Sequence, residues 1–218
     1  MTAPGGPWVF VVDDDDTMRR GLARLLQSAG FAVETFPSAE AYQYHPKCEG
    51  AGCLILDVSM PGMDGLSLQE ELSKDPDCLP IVFLTGQVDI PSSVRAMKRG
   101  AFDFLTKPVE EETLLEAVRS ALERHARGRA ARASIADLRA KVATLSPREH
   151  EVLKGVISGA MNKQIAMKLG IKEATVKVHR GHVMQKLGVA TVADLVRSCE
   201  SLGIEPDPAL PTTTTKVQ

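Results

Sequence analysis

The chain has 218 residues, a mass of 23.5 kDa and a formal net charge of −2, a length comfortable for two average domains and long for one. Its 44% apolar and 25% charged residues exclude disorder of the whole chain. Apolar runs of about five residues fall far short of the roughly 20 that a spanning helix needs, which excludes a membrane helix. The N-terminus has neither the basic patch nor the apolar stretch of a signal peptide, so a cytoplasmic location is expected. The four cysteines, at 48, 53, 78 and 199, form no Cys-x-x-Cys pair and no zinc-ligand spacing, and are expected as free thiols. The near-zero charge is divided. Residues 1–125 carry 11 Lys+Arg against 20 Asp+Glu, a net −9, and residues 126–218 carry 15 against 8, a net +7. Two halves of opposite charge suggest different partners, and a small basic domain suggests a polyanion such as DNA.

The first half alternates strand and helix. Trp8–Val12 is a short apolar run ended by Asp13. Met18, Leu22, Leu25, Leu26 and Ala29 recur at helical spacing before Gly30. Strands are predicted over Phe31–Phe36, Cys53–Leu56, Leu79–Leu84 and Phe102–Leu105. Helices are predicted over Ala39–Tyr44, Leu66–Leu72, Ser92–Arg99 and Glu110–Arg124. Five β/α repeats imply an α/β doubly wound five-stranded parallel sheet over residues 8–124, after an extension at 1–7. Residues 125–143, rich in Ala and Arg and without proline, read as a helical linker that extends the fifth helix. Ser146-Pro147-Arg148-Glu149 is a capping box with proline at the first helical position. Four helices follow, at about 147–158, 162–169, 174–187 and 191–202, so residues 144–203 form an all-α domain. The Pro- and Thr-rich segment 204–218 is expected to be a disordered tail.

Several polar residues fall at the predicted strand ends of the first half: Asp13 and Asp14 after the first strand, Asp57 after the third, Thr85 after the fourth and Lys107 after the fifth. A parallel sheet brings these termini to one rim, where its sites lie. Clustered carboxylates repel unless a cation joins them, and hard oxygen ligands suit Mg²⁺. A hydroxyl and an ammonium beside them could cradle phosphoryl oxygens, and a carboxylate between them could attack phosphorus.

On these residues the stretch 8–125 resembles the receiver domain of a two-component response regulator, a flavodoxin-like fold. The spacings of 43 from Asp14 to Asp57, 28 to Thr85 and 22 to Lys107 fit that family. The resemblance implies that Asp57 accepts a phosphoryl group from a sensor histidine kinase. It implies that Asp14, Asp57 and the Ser59 carbonyl hold Mg²⁺, with Asp13 acting through water, and that Thr85 and Lys107 engage the phosphoryl oxygens. Phe104 matches the family's aromatic switch position, paired with Thr85; as a residue it equally suits a strand core.

In the basic half, Asn162–Leu187 reads helix, turn at Gly170-Ile171, helix. Val176, Val183 and Leu187 share one face of the second helix, and Lys177, Val178 and Gly181 point elsewhere, as a major-groove helix requires. Lysine can reach phosphates or guanine edges, and valine a thymine methyl. Leu145-Ser146-Pro147-Arg148-Glu149, Asn162-Lys163-Gln164-Ile165-Ala166, Thr175-Val176-Lys177-Val178-His179 and Met184-Gln185-Lys186-Leu187 resemble the LuxR-type helix-turn-helix. The two stretches together resemble the NarL/FixJ subfamily. By position, the resemblance implies that Lys177 and Val178 face bases and that Lys163, Thr175, Arg180 and Lys186 meet the DNA backbone. Gly181 stands where many relatives carry a polar or basic side chain. Glu149 reads as a cap, and His179 as either a structural group or a phosphate donor. The implied function is a regulator, not an enzyme, that is phosphorylated on Asp57 and then binds promoter DNA as a homodimer, with RNA polymerase open as a further contact. The alternatives to that function are the same architecture acting without phosphate, a Mg²⁺-dependent phosphotransferase or phosphatase, and an RNA-binding output.

Overall fold

Five short strands alternate with five helices through the first half of the chain. They are β1 (Trp8–Val12), β2 (Ala32–Phe36), β3 (Gly52–Leu56), β4 (Ile81–Thr85) and β5 (Asp103–Thr106), with α1 (Asp16–Ser28), α2 (Ala39–Gln43), α3 (Gly65–Leu72), α4 (Ile90–Lys98) and α5 (Glu111–Ala143). The structure is a computed structural model, and it describes residues 6–45, 50–86 and 90–208. Residues 1–5 of the expected extension, residues 209–218 of the expected tail, and Cys48 lie outside those residues.

The sheet has the order β2-β1-β3-β4-β5, and every neighbouring pair is parallel. Alternation along the strands builds two cores. Phe10, Val12, Leu54, Leu56 and Phe83 enter one cluster with Leu66 and Leu68 of α3 and Ala96 of α4. Val9, Val11, Cys53, Ile55, Val82 and Leu84 enter the other with Leu22 and Leu26 of α1 and Leu114, Val118 and Leu122 of α5. The chain runs outward from β1 to β2 in one direction and from β3 to β5 in the other. The crevice at that switch point lies beyond the carboxyl ends of β1 and β3.

The doubly wound parallel sheet is as expected. Boundaries differ in places, each for a local reason. Strand β4 begins at Ile81 because Pro80 has no N–H to give the ladder, although its carbonyl accepts from Leu54 N–H at 3.0 Å. Helix α4 begins at Ile90, two residues early, with Pro91 in its first turn. Helix α5 runs 33 residues without a break, so residues 125–143 extend the fifth helix. The chain divides into compact units at Met1–Ala130 and Ala131–Gln218, and Leu138 and Val142 near the end of α5 pack against the second unit's core.

That second unit is helical, with α6 (Pro147–Ile157), α7 (Asn162–Leu169), α8 (Glu173–Leu187) and α9 (Val192–Leu202). Val152, Leu153, Ile165, Val176, Val183, Leu187 and Leu195 form its core. The capping box that opens α6 is complete: Glu149 N–H donates to Ser146 Oγ at 3.3 Å, and Ser146 N–H donates to Glu149 Oε2 at 2.8 Å. Disorder from residue 204 onward is corrected over its first residues. Ile204 packs on the core, and Asp207 pairs with Lys168 and donates its N–H to the Lys154 carbonyl. One apolar side chain and one ion pair hold this stretch down against its proline content.

Candidate functional site

The carboxyl ends of β1, β3, β4 and β5 carry Asp13, Asp57, Thr85 and Lys107, the residues singled out from sequence. Asp13 is 2% exposed and Asp57 6%, and Thr85 is fully buried, while Asp14 is exposed. Carboxylate oxygens of Asp13, Asp14 and Asp57 lie within 4.8 Å of one another. The Lys107 ammonium joins two of them, at 2.6 Å from Asp13 Oδ2 and 3.2 Å from Asp57 Oδ1. Its backbone is set by a 2.7 Å bond from Lys107 N–H to the Thr85 carbonyl, which ties the ends of β4 and β5 together. The other Asp57 oxygen accepts from Ser59 N–H at 3.2 Å.

The electrostatics follow from burial. Removal from water pushes the Asp57 carboxyl above the usual aspartate range, and the Asp13 charge adds to that, outweighing the opposing pull of Lys107. Burial would lower the Lys107 ammonium, but its bond to Asp13 and the charges of Asp57 and Asp13 prevail and raise it. Three carboxylates around one ammonium form an acceptor-rich pocket short of positive charge. Their oxygen donors fit a hard divalent cation such as Mg²⁺. Phe104 on β5 is half-buried, its ring 5.9 Å from that of Phe83, so it belongs to the core cluster while keeping one edge open.

The supporting groups were largely missed in the sequence. Gly65 opens α3 directly under the Asp57 backbone. A Cβ there would stand 2.2 Å from the Asp57 carbonyl oxygen, so only glycine lets helix and strand end approach this closely. Glu40 of α2 reaches the loop that follows Asp57 and accepts from Met63 N–H at 2.9 Å. That bond, its own backbone and Ser38 hold the Glu40 carboxyl below the usual range. Arg19 of α1 donates to the Asp13 carbonyl at 2.7 Å. Asp15 caps α1 by accepting from the Thr17 and Met18 N–H groups at 2.7 and 3.2 Å. Asp16 pairs with Arg19 and Arg20. The Asp15 cap had a sequence signal, a short acidic residue before a periodic helix; Glu40 and Arg19 had none.

In the second unit, α7 stops at Gly170, whose φ of 65° is the left-handed conformation that favours glycine. A short turn leads into α8. Val176, Val183 and Leu187 fix the inner face of α8. Lys177, Val178, Gly181 and Thr175 on α8 are exposed, as is Lys163 on α7. Val178 leaves 54% of its surface in water, unusual for a valine on a packed helix. Space beside Gly181 is open. The other two expected DNA-backbone contacts have protein partners. Arg180 donates to Asn162 Oδ1 at 3.3 Å. The Lys186 ammonium lies 2.6 Å from Glu149 Oε2 and 3.1 Å from the Thr144 carbonyl, so the structure places it inside the domain's own polar network. That ion pair, helped by Ser146 N–H, holds the Glu149 carboxyl down at about 2.

Comparison with known proteins agrees with this geometry. The family described as the response regulator receiver domain matches residues 9–119, and the luxR family of bacterial regulatory proteins matches residues 143–199. Nodulation protein W of Bradyrhizobium diazoefficiens is 48% identical over 90% of this chain and 86% of its own. The response regulator protein TmoT of Ectopseudomonas mendocina is 45% identical over 89% and 88%. Among solved structures, the response regulator StyR is 52% identical with a TM-score of 0.82, covering 90% of this chain and 99% of that one. Full-length FixJ from B. japonicum is 39% identical with a TM-score of 0.55, covering 91% and 98%. The parallel sheet with its acidic rim, followed by an exposed helix-turn-helix, therefore defines a response regulator with a DNA-binding output, and the chain belongs to that family. Within it, the similarity to FixJ and nodulation protein W makes it a NarL/FixJ-type regulator, a protein of transcription control.

Proposed function

We propose that Asp57 is the phosphoryl acceptor for a sensor histidine kinase and that its phosphorylation switches the chain to promoter binding as a homodimer in the cytoplasm. The observation that carries this reading is the meeting of Asp13, Asp57 and Lys107 at one rim, with a single ammonium shared by two buried carboxylates. An Asp57 oxygen forms the bond to phosphorus as the bond from phosphorus to the donor nitrogen breaks, and the electron pair leaves with the imidazole. Lys107 turns to the incoming phosphoryl oxygens, and the Thr85 hydroxyl donates to one of them. Phe104 then follows Thr85 inward. Mg²⁺ held by Asp14, Asp57 and the Ser59 carbonyl, with Asp13 acting through water, supplies charge neutralisation for those oxygens when bound. The receiver promotes only its own phosphorylation and hydrolysis and acts on no free substrate.

On the output side, Lys177 and Val178 read base edges, and Lys163 and Thr175 hold phosphates, with Arg180 joining them once released from Asn162. Acetyl phosphate labelling followed by borohydride trapping and mass spectrometry tests the acceptor. The label belongs on the peptide bearing Asp57 and is absent from Asp57→Asn. A label on Asp13 or Asp14 in the wild type overturns the assignment.

A further inference from the structure

Beyond the acidic rim, one other group of metal-ligating side chains converges among the described residues: Glu149 of α6 with His179 and His182 of α8. One ligand atom from each lies within 4.8 Å of the other two. The two histidines stand three apart on one helix and so share a face. His182 Nδ1 is 3.6 Å from Glu149 Oε1. That is too long for a hydrogen bond. It is close to the roughly 3.4 Å that separates two ligands around a tetrahedral ion with bonds of about 2.0–2.1 Å. His179 Nδ1 is buried and has no hydrogen-bond partner among the described residues, an omission that buried nitrogens normally avoid. The Ser146 N–H and the Lys186 ammonium both end on the other carboxylate oxygen, Oε2, which leaves Oε1 on the histidine side.

We propose that Glu149, His179 and His182 form a site for a divalent transition-metal ion of the Zn²⁺ class, linking α6 to the exposed helix α8. Two imidazoles and one carboxylate select Zn²⁺ over Mg²⁺, which prefers all-oxygen sites. Water completes the fourth position. His182 is exposed and provides the way in. The neighbouring Lys186 ammonium opposes a second positive charge, so the site has the moderate affinity of a responsive ion site rather than that of a permanent structural zinc. Two of its three ligands belong to the helix that carries Lys177 and Val178.

The test is calorimetric titration of the untagged full-length chain with Zn²⁺ in excess Mg²⁺, with Co²⁺ absorption as a second readout. One Zn²⁺ per chain is expected, with Co²⁺ giving the intense visible bands of a four-coordinate site. His182→Gln, a change at an exposed position that leaves the fold intact, is expected to weaken Zn²⁺ by at least about tenfold, or ~1.4 kcal/mol, and to erase the Co²⁺ bands. Asp14→Asn and Cys78→Ser are expected to bind like the wild type. Undiminished Zn²⁺ affinity in His182→Gln, loss of binding in Asp14→Asn or Cys78→Ser instead, or no Zn²⁺ uptake beyond the Mg²⁺-competed pocket each overturns the proposal.

Discussion

Glu149 is 4% exposed, and its carboxyl sits at about 2 against 4.5 ordinarily, first through Lys186 and then through Ser146 N–H. At ~1.4 kcal/mol per tenfold change, that gap bounds the carboxylate's stabilisation at about 3 kcal/mol. Two discounts apply. The Ser146 bond survives in Glu149→Gln, and Lys186 keeps 38% of its side chain in water, which screens the pair. Glu149→Gln should therefore cost about 2 kcal/mol at pH 7, and a cycle with Lys186→Met should show a coupling of about 1 kcal/mol. The assay is urea unfolding of residues 131–218, a unit with its own core, followed by far-ultraviolet circular dichroism. The folded carboxyl is more acidic than the unfolded one. Its stabilisation is thus present above about 4.5 and lost as the pH falls towards about 2, where wild type and Glu149→Gln converge. A coupling below about 0.3 kcal/mol would mean that Lys186 is free in solution and available to phosphate, refuting the assignment.

Other outcomes follow from the same geometry. Gly65→Ala drives a Cβ against the Asp57 carbonyl and should destabilise the receiver by roughly 1–3 kcal/mol while slowing phosphorylation, measured by thermal unfolding and acetyl phosphate uptake. Burial raises the Asp57 carboxyl, so ionisation there opposes folding at pH values above the unfolded carboxyl's. Asp57→Asn should therefore raise the receiver's Tm at pH 7, with an advantage that shrinks as the pH falls through the raised native value and is gone once it reaches the ordinary aspartate range, where the unfolded carboxyl is protonated too. Lys177→Ala should relax discrimination at one base pair by ~1–3 kcal/mol, read by competition among operator variants. Lys186→Ala should lower domain stability and leave the salt dependence of DNA binding unchanged, in contrast to Lys163→Ala, which should reduce the salt slope by about one.

What could be read from the sequence depended on whether a feature is local. Asp13, Asp57, Thr85 and Lys107 each follow an apolar run at a strand end, so the parallel-sheet rule alone gathers them. The two-face burial of β1, β3 and β4 showed equally well in their uninterrupted apolar runs. Glu40 could not be found this way, because its partner Met63 is 23 residues away and no periodicity reports the bond. Lys186 reads as an outward basic group at a helix end until Glu149, 37 residues earlier, is folded beside it. Residues 204–207 look like tail by composition, yet Ile204 and the Asp207–Lys168 pair hold them on the core. His179 and His182 drew no joint reading from sequence because their third companion lies on a different helix.

The central claim is that the phosphoryl state of Asp57 sets the DNA affinity of the exposed face of α8. Binding of the full-length chain to its promoter duplex, by fluorescence anisotropy at fixed salt with and without acetyl phosphate and Mg²⁺, tests it most directly. A marked gain in affinity on phosphorylation is expected for the wild type and none for Asp57→Asn, with Lys177→Ala weak in both states. An equal gain in Asp57→Asn, or wild-type binding indifferent to the donor despite confirmed labelling, would contradict it.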